Sequence, residues 1–372
     1  MSYADKVFVQ RCKEILLNGI SDGPLEVRTK WPSDGVPAHT KKILYVQDRY
    51  DLSDGSIPVI TLRRQGFKNC VDEILWIYQK KSNRLEDLNS HVWDSWDIGD
   101  GTIGKAYGYQ IGLPFRHHRY TSEEEFSKYP SAMAMRSLVP STYDIEHGAG
   151  VKFENTGDKW VWMDQMDAVL YDLTNNPGSR RIMTNTYNHS DLADMGLAPC
   201  AYQMVFNVTV DKDGNKILNG CLNQRSQDML TANGWNVMQY SILLHMVAIH
   251  CGMKPGIFVH NIFDCHIYDR HERIVSKLID LYLAAGHPSL GLTGDGWEDL
   301  LAKDENGRIL LDRYIDEIPC DKPYPNPKLW INPEKKNFYD FTVDDFKLID
   351  YQYCYFNHKI GNGLDCDIEV AI

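Results

Sequence analysis

The hydrophobic pattern of the chain contains three segments with a helical period. Residues 6–18 carry apolar side chains at every third or fourth position, which predicts an amphipathic helix that ends at Gly19. Residues 66–81 repeat this period, and Glu73 borders or enters their apolar stripe. Residues 236–251 are apolar on nearly every side, which predicts a buried helix.

Other segments have the alternation that is typical of β-strands. Residues 203–210 and 216–225 flank a turn at 211–214, so together they predict a hairpin. Residues 257–268 are again strand-like. Alternation puts three polar side chains of this last segment on one face. They are Asp264, His266 and Tyr268.

Two stretches lack a clear period. Residues 111–158 carry proline, glycine and mixed charge, and residues 285–328 contain the segments GHPSLGLTGDG and DKPYPNPK. A chain of 372 residues can bury one large core or two modest ones. We interpret both stretches as surface insertions on a single domain that spans residues 1–372.

Composition narrows the class of protein. The chain is 43% hydrophobic and 24% charged, which is ordinary for a soluble globular protein. No apolar run approaches the ~18 residues that span a bilayer, and the polar start MSYADKVFVQRCKE does not resemble a secretory signal. Nine cysteines without CxxC spacing predict reduced thiols in the cytoplasm. The net charge of −12 disfavours broad binding to nucleic acid or anionic membranes, so an anionic substrate needs a local arginine cluster.

Cys200 and four arginines are the first candidates for chemistry. Cys200 lies in LAPCAYQ, between a proline and a predicted strand. Most isolated cysteines are buried structural residues, but a thiolate is also a strong nucleophile. Arginine forks match the oxygens of a phosphate, although a single arginine is more often a solvated surface residue. The candidates are Arg28, Arg180, Arg181 and Arg225.

Glu73 is a candidate for proton transfer. A carboxylate on an apolar helix face is desolvated, so its pKa should rise towards neutrality. The alternative is a glutamate at the helix edge that points to water. A metal site is not expected, because the spacings of the nearby ligand-type residues match no standard zinc signature. These residues are His260, Asp264, Cys265, His266 and His271.

Seven segments, in order along the chain, resemble the folate-dependent thymidylate synthase family. They are VRTKWPSDGVPAHT, DEILWIYQKKSN, HVWDSWD with GTIGKAYGYQ, NNPGSRRI, APC, QRSQDMLTANGWNVMQY and FDCHIY. The chain also ends in VAI, as many members do. The resemblance implies an α/β (α+β) fold in which a large mixed β-sheet is flanked by helices. It further implies a homodimer in which two such sheets pack back to back.

The resemblance implies reductive methylation of dUMP to dTMP, with 5,10-methylenetetrahydrofolate as the donor of one carbon and a hydride. Cys200 would attack C6 of the uracil, Glu73 would manage protons through ordered water, and Tyr107 would help remove the C5 proton. Asn236 would hydrogen-bond O4 and N3, which favours uracil over cytosine. The implied catalytic residues are Cys200, Glu73, Tyr107, Arg225, Asn236 and Asp228.

The same resemblance assigns residues to each ligand. Those implied for dUMP are Arg28, Arg180, Arg181, Arg225, Ser226, Asp228, Asn236, His266 and Tyr268. Those implied for the folate are Trp93, Trp96, Asp228, Ala371 and Ile372. Arg180 and Arg181 would come from the partner subunit of a two-fold dimer. The C-terminal residues would fold over the ligands and exclude water.

The sequence departs from the family's pattern at a few positions without losing a proposed catalytic group. Ala201 stands where many members have histidine, Gln227 replaces a frequent cysteine, residues 232–234 replace a common Gly-Leu-Pro, and Phe263 replaces a glycine. Two alternatives stay open. One is a deoxyuridylate hydroxymethylase, in which water captures the intermediate, and the other is a non-catalytic nucleotide- or RNA-binding protein on the same scaffold.

Overall fold

A computed structural model describes residues 1–118, 152–153, 160–290, 296–322, 325–354 and 368–372. In these ranges the helices are α1 (Tyr3–Asn18), α2 (Phe67–Tyr78), α3 (Gly108–Gly112), α4 (Gln165–Asn175), α5 (Gly234–His250), α6 (Glu272–Gly286) and α7 (Leu310–Glu317). The strands are β1 (Ile20–Ser21), β2 (Thr40–Asp51), β3 (Phe115–His118), β4 (Lys152–Phe153), β5 (Trp160–Met163), β6 (Met183–Asn185), β7 (Ala201–Val210), β8 (Lys216–Asp228), β9 (Lys254–Tyr268), β10 (Lys328–Ile331) and β11 (Phe346–Ile349).

The main sheet is mixed, in the order β1-β2-β9-β8-β7-β6. Strands β7 and β8 form the predicted antiparallel hairpin, with Val210 opposite Lys216. Strands β8 and β9 are parallel, and parallel neighbours need a long crossover connection. Helix α5 supplies that crossover. The mixed sheet with flanking helices confirms the predicted fold class.

The helical segments follow the predicted pattern with shifted ends. Helix α1 begins earlier than predicted because Ser2 and Asp5 form a capping box, in which the Ser2 Oγ accepts from the Asp5 N–H at 3.1 Å. Helix α2 ends at Tyr78 rather than at residue 81, and Lys81 has a left-handed φ of 54° that cannot continue a helix. Helix α5 is buried along most of its length, as predicted.

Helices α2 and α5 pack against each other, and α5 also packs against β8 and β9. Helix α1 packs against β2 and α6. This arrangement places the middle of α2, the start of α5 and the ends of β8 and β9 around one space. The catalytic candidates of the sequence lie on or beside these four elements.

The two proposed insertions are only partly visible. Most of residues 111–158 lie outside the described residues. In 285–328, α7 directs Leu311 and Ile315 into the main core, together with Trp297. The described part of 285–328 is therefore not only surface. Their origin as insertions on a single domain stays a prediction.

Candidate active site

A cavity of about 640 Å³ opens between the sheet, α2 and α5, and we call it the central cavity. It gathers residues from distant parts of the sequence. The predicted site residues that line it are Arg28, Glu73, Trp93, Trp96, Tyr107, Cys200, Arg225, Ser226, Asp228, Asn236, His266, Tyr268 and Ala371. The cavity size and its few polar groups among aromatic walls are typical of a small-molecule site.

Cys200 lies immediately before β7 and is held through its backbone. Its N–H donates to the Tyr107 Oη at 3.0 Å, and its carbonyl accepts from the Arg225 N–H at 2.9 Å. The guanidinium of Arg225 donates to the carbonyls of Pro199 at 2.9 Å and Ala198 at 2.7 Å. The guanidinium of Arg225 is therefore held by the same short segment that carries the thiol.

The ionisation of Cys200 reflects two opposing effects. Burial raises the pKa of the thiol, while the positive charges of Arg225 and Arg28 lower it. The net shift of the pKa is upward. The two arginines favour the thiolate, but burial outweighs them in the single chain.

Tyr107 joins the two tryptophans in an aromatic wall. The Tyr107 ring lies 5.0 Å from the Trp93 ring, which lies 5.3 Å from the Trp96 ring. Tyr107 has a left-handed φ of 43°, a conformation that costs about 1–3 kcal/mol for a residue with a side chain. The next residue, Gly108, packs against the carbonyl of Ser82. A Cβ on Gly108 would lie 2.0 Å from that oxygen, so only glycine fits there. This tight turn orients the phenol towards Cys200.

Glu73 lies in the middle of α2 and is only 6% exposed. Its Oε2 accepts a hydrogen bond from the indole Nε1 of Trp235 at 2.9 Å. Burial raises the pKa of Glu73, and the nearby donor groups of Gln239, Trp93 and Trp235 oppose that rise. The environment agrees with the desolvated carboxylate that the sequence pattern predicts, rather than with an edge residue in water.

The amide of Asn236 is oriented by a relay of neutral groups. Gln224 Nε2 donates to the Ser226 carbonyl at 2.9 Å and to Asn236 Oδ1 at 3.2 Å. Because a carbonyl can only accept, both amides have a defined orientation. Gln224 Oε1 then accepts from His260 Nε2 at 2.8 Å. Burial lowers the pKa of His260 to about 3, so its ring is neutral with the proton on Nε2.

Asp228 ends β8 and holds the entry to α5. Its carboxylate accepts from the Leu230 N–H at 2.9 Å and from the Thr231 hydroxyl at 2.5 Å. These bonds cap the π-helical turn Met229–Asn233, which leads directly into α5. π-Helical turns are often found at functional sites.

His266 and Tyr268 lie together at the end of β9. The His266 ring is 5.1 Å from the Tyr268 ring, and its Nδ1 lies 2.8 Å from Asp264 Oδ1. Burial alone would raise the pKa of Asp264, but hydrogen bonds with His266 and Lys42 hold it below its ordinary value. The three residues of the predicted strand face are therefore connected, Asp264 to His266 by a hydrogen bond and His266 to Tyr268 by a ring contact.

The C-terminal residues are tied to the segment that follows Arg28. Ile372 exchanges two backbone hydrogen bonds with Lys30, at 2.8 and 3.1 Å. Ala371 is buried against Trp31 and Ala38 and lines the central cavity. Ile372 is not among the residues that line the cavity in the described structure.

Arg180 and Arg181 lie away from the central cavity of their own chain. Both are exposed, and Arg181 lines a separate cleft of about 810 Å³ with Ser179, Gln165 and His189. Within the described residues neither arginine has an ion-pair partner. A role in phosphate binding would therefore need a second chain.

Several residues that line the cavity were not predicted from the sequence. They are Arg63, Arg64, Gln65, Gln224, Trp235 and Gln239. Trp235 directly precedes Asn236, so its position in the sequence was an available signal. In the part of the chain that the structure describes, no cluster of metal-ligand residues is found. Over the same ranges, no helix has the length and apolar character of a membrane span.

Comparisons with known proteins give consistent results. The sequence model of the family described as thymidylate synthase matches residues 6–304. Thymidylate synthase 1 of Bacillus subtilis strain 168 is 36% identical over 356 residues, covering 95% of this chain and 96% of the relative. The thymidylate synthase of Bacillus phage phi3T has the same identity and coverage. The solved structure of the thermostable thymidylate synthase A from Bacillus subtilis is 33% identical, with a TM-score of 0.66 over 100% of both chains.

Proposed function

This chain belongs to the thymidylate synthase family, and we propose that it is the methyltransferase that converts dUMP to dTMP in the cytoplasm. The observation that carries this proposal is the central cavity, where a thiol, the guanidiniums of Arg28 and Arg225, a buried carboxylate and an oriented amide meet. These are the groups that covalent activation of a uracil ring requires. The arrangement supports catalysis rather than simple nucleotide binding.

Arg28 and Arg225 bind the phosphate of dUMP from the same chain, and His266 and Tyr268 contact its ribose. Asn236 selects the base. Its Oδ1 accepts from Gln224, and the second lone pair of this oxygen accepts from N3–H of uracil. The Nδ2 group then donates to O4. Cytosine has a lone pair at N3, which this oxygen repels.

The described residues fit a folate co-substrate. Trp93, Trp96 and Tyr107 form an aromatic wall that suits flat rings, and Asp228 can accept hydrogen bonds from a pterin. When bound, methylenetetrahydrofolate supplies the one-carbon unit and the hydride. Val370 and Ala371 cover one side of the cavity and exclude water from it.

Cys200 acts by forming a bond from Sγ to C6 of the uracil, which makes C5 nucleophilic. C5 takes up the donated carbon and loses its proton with the help of Tyr107, while Glu73 moves protons at O4 through water. The bond between this carbon and the folate nitrogen would then break, and hydride from the folate would add to the carbon to complete the methyl group as the C5–C6 double bond re-forms. The C6–S bond then breaks and returns Cys200 as a thiolate.

Mass spectrometry with 5-fluoro-dUMP and methylenetetrahydrofolate tests the nucleophile. We expect a covalent adduct on the Cys200 peptide and no turnover by Cys200→Ser. Cys221→Ser is the matched control, because this thiol lies on β8 outside the central cavity and should leave the adduct intact. An adduct on another cysteine contradicts the assignment. With dUMP itself, a hydroxymethyl product and released tetrahydrofolate would instead establish the hydroxymethylase.

The active unit is proposed to be a homodimer that packs two sheets back to back. The sheet face opposite α5 supports this, because Tyr45 and Phe263 are 84% and 56% exposed and their rings lie 6.3 Å apart. In this arrangement Arg180 and Arg181 reach the phosphate site of the partner subunit, which explains how an acidic protein binds a nucleotide.

Mixing inactive variants tests the donation of arginine across the interface. We expect Arg181→Ala and Cys200→Ser homodimers to be inactive alone. After random exchange of equal amounts, about one quarter of the sites regain both groups, and activity should recover to that extent. Differently tagged chains verify the exchange. No recovery in an exchanged sample contradicts donation between subunits.

A further inference from the structure

Trp235 contacts the proposed proton-transfer residue directly. It lies in the first turn of α5, and its indole Nε1 donates to Glu73 Oε2 at 2.9 Å. The two residues are 162 positions apart, so only the fold brings them together. Nothing in the mechanism above uses this hydrogen bond.

Two glycines allow the indole to reach Glu73. A Cβ on Gly234 would lie 2.7 Å from Ile60 Cδ1, and a Cβ on Gly66 would lie 3.1 Å from Trp235 Cζ3. Both are tighter than ordinary side-chain contacts, so small residues here let α5 approach the segment before α2. Cys70 Sγ also donates to the Trp235 carbonyl at 3.6 Å. The indole is therefore held at its ring and at its backbone.

The chemistry of an indole makes this contact directional. An indole N–H can donate a hydrogen bond but cannot accept one, so it favours the ionised carboxylate. An amide such as Gln239 could also rotate and offer its oxygen. Burial pushes the pKa of Glu73 upward, and the donors around it act against that shift. Trp235 thus favours the ionised carboxylate and restricts its orientation.

We propose that Trp235 is a positioning residue, whose indole N–H holds one oxygen of Glu73 so that the other is presented to the pyrimidine and its water. The inference rests on the proposed proton-transfer role of Glu73. Trp235 and Asn236 are consecutive on α5, about 100° apart around the helix. One helical turn therefore sets both the carboxylate that moves protons and the amide that binds the base.

Trp235→Phe tests the inference, because it keeps an aromatic ring and removes only the donor. We expect kcat to fall about tenfold, with the KM values for dUMP and folate within about twofold of wild type. The limb of the pH profile that Glu73 controls should move to higher pH by about one unit, because the ionised carboxylate has lost a donor. Steady-state kinetics across pH measure all three quantities.

Trp297→Phe is the matched control. Its indole is also buried and donates to the Ser276 hydroxyl at 2.7 Å, away from the central cavity. This variant should lose a similar hydrogen bond and keep the wild-type pH profile. If Trp235→Phe folds poorly, Gly66→Ala is the second variant, because its Cβ displaces the ring and should shift the same limb by a smaller amount.

The double variant Trp235→Phe/Glu73→Gln tests the role of Trp235 separately from the role of Glu73. If Trp235 acts through Glu73, the double variant should be as slow as Glu73→Gln alone. An unshifted pH limb in Trp235→Phe, while Glu73→Gln is nearly inactive, overturns the role of Trp235 only. Full turnover by Glu73→Gln overturns the proposed role of Glu73 itself.

Discussion

Glu73 and the pair Asp164 and Asp167 are buried carboxylates in opposite kinds of surroundings. Glu73 meets neutral donors and lines the central cavity. Asp164 and Asp167 form a buried cluster with Lys81 and Tyr339, which we call the acid cluster after its two carboxyl groups. Lys81 Nζ donates to Asp164 and, at 2.9 Å, to Tyr339 Oη, whose O–H donates to Asp167. Over the ranges that the structure describes, none of these four residues lines the central cavity.

The difference teaches that a raised pKa does not by itself identify a catalytic group. Burial, aided by the charge of Asp164, raises the pKa of Asp167 to about 7, although Lys81 opposes the shift. A pKa near neutrality suits proton transfer, yet Asp167 is 2% exposed and lies at the start of α4 in packed structure. Access to the cavity separates the two cases, so Glu73 is catalytic in our proposal and the cluster is structural.

Rates should separate the two sites most strongly. We expect Glu73→Gln to lower kcat by about 10²–10⁴-fold, the range for a general acid or base. Asp167→Asn should keep kcat per folded molecule within about threefold of wild type, because no substrate reaches it. Turnover assays with matched thermal denaturation measure both. A large loss in Asp167→Asn with an unchanged fold would break the comparison.

Stability should show the reverse order. Lys81→Met leaves two buried carboxylates without their cation, so we expect a loss of about 3–5 kcal/mol in the free energy of unfolding. Lys68→Met is the matched control, because its ion pair with Asp344 is exposed and should contribute about 0–1 kcal/mol. Denaturant titration compares them. Equal losses would show that the cluster does not hold the fold.

The pH dependence of stability gives a smaller and finer test. The pKa of Asp167 rises from 3.8 to about 7 on folding, so the folded state favours the protonated acid. The protonated Asp167 therefore stabilises the folded state fully below the unfolded pKa of 3.8. This stabilisation is lost as pH rises through the folded pKa of about 7. Between about pH 5 and about pH 7.5, the Tm of wild type should fall by about 2–4 °C more than that of Asp167→Asn. Asp344→Asn, which changes an exposed carboxylate, should follow wild type.

Local patterns predicted the elements well, because period and turn chemistry are encoded by neighbouring residues. The hairpin of β7 and β8 and the buried α5 follow directly from alternation and apolar runs. Helix ends were less accurate, since the left-handed φ of Lys81, just beyond the end of α2, is not indicated by the helical period. In 285–328, the spacing of Leu311 and Ile315 was a helical signal hidden among glycines and prolines.

The site divides in the same way. Cys200, Glu73 and Asn236 lie in segments that resemble a family, and so the sequence predicts them as site residues. The relay from His260 to Gln224 depends on the parallel pairing of β8 with β9, which no local pattern specifies. Trp235 precedes Asn236 in the sequence, but its contact with Glu73 could not be predicted, because Glu73 is on a different helix. Contacts between distant elements need the fold before they can be predicted.

The hydrogen bonds that run from His260 through Gln224 to Asn236 have a consequence for how the enzyme responds to a change in pH. The His260 ring stays neutral until about pH 3, and a protonated ring would still donate from Nε2 to Gln224 Oε1, so acid does not reverse the relay. Glu73, by contrast, is a carboxylate whose charge the pH can alter. Acid stress should therefore slow the synthesis of a DNA precursor without making the enzyme accept the wrong pyrimidine.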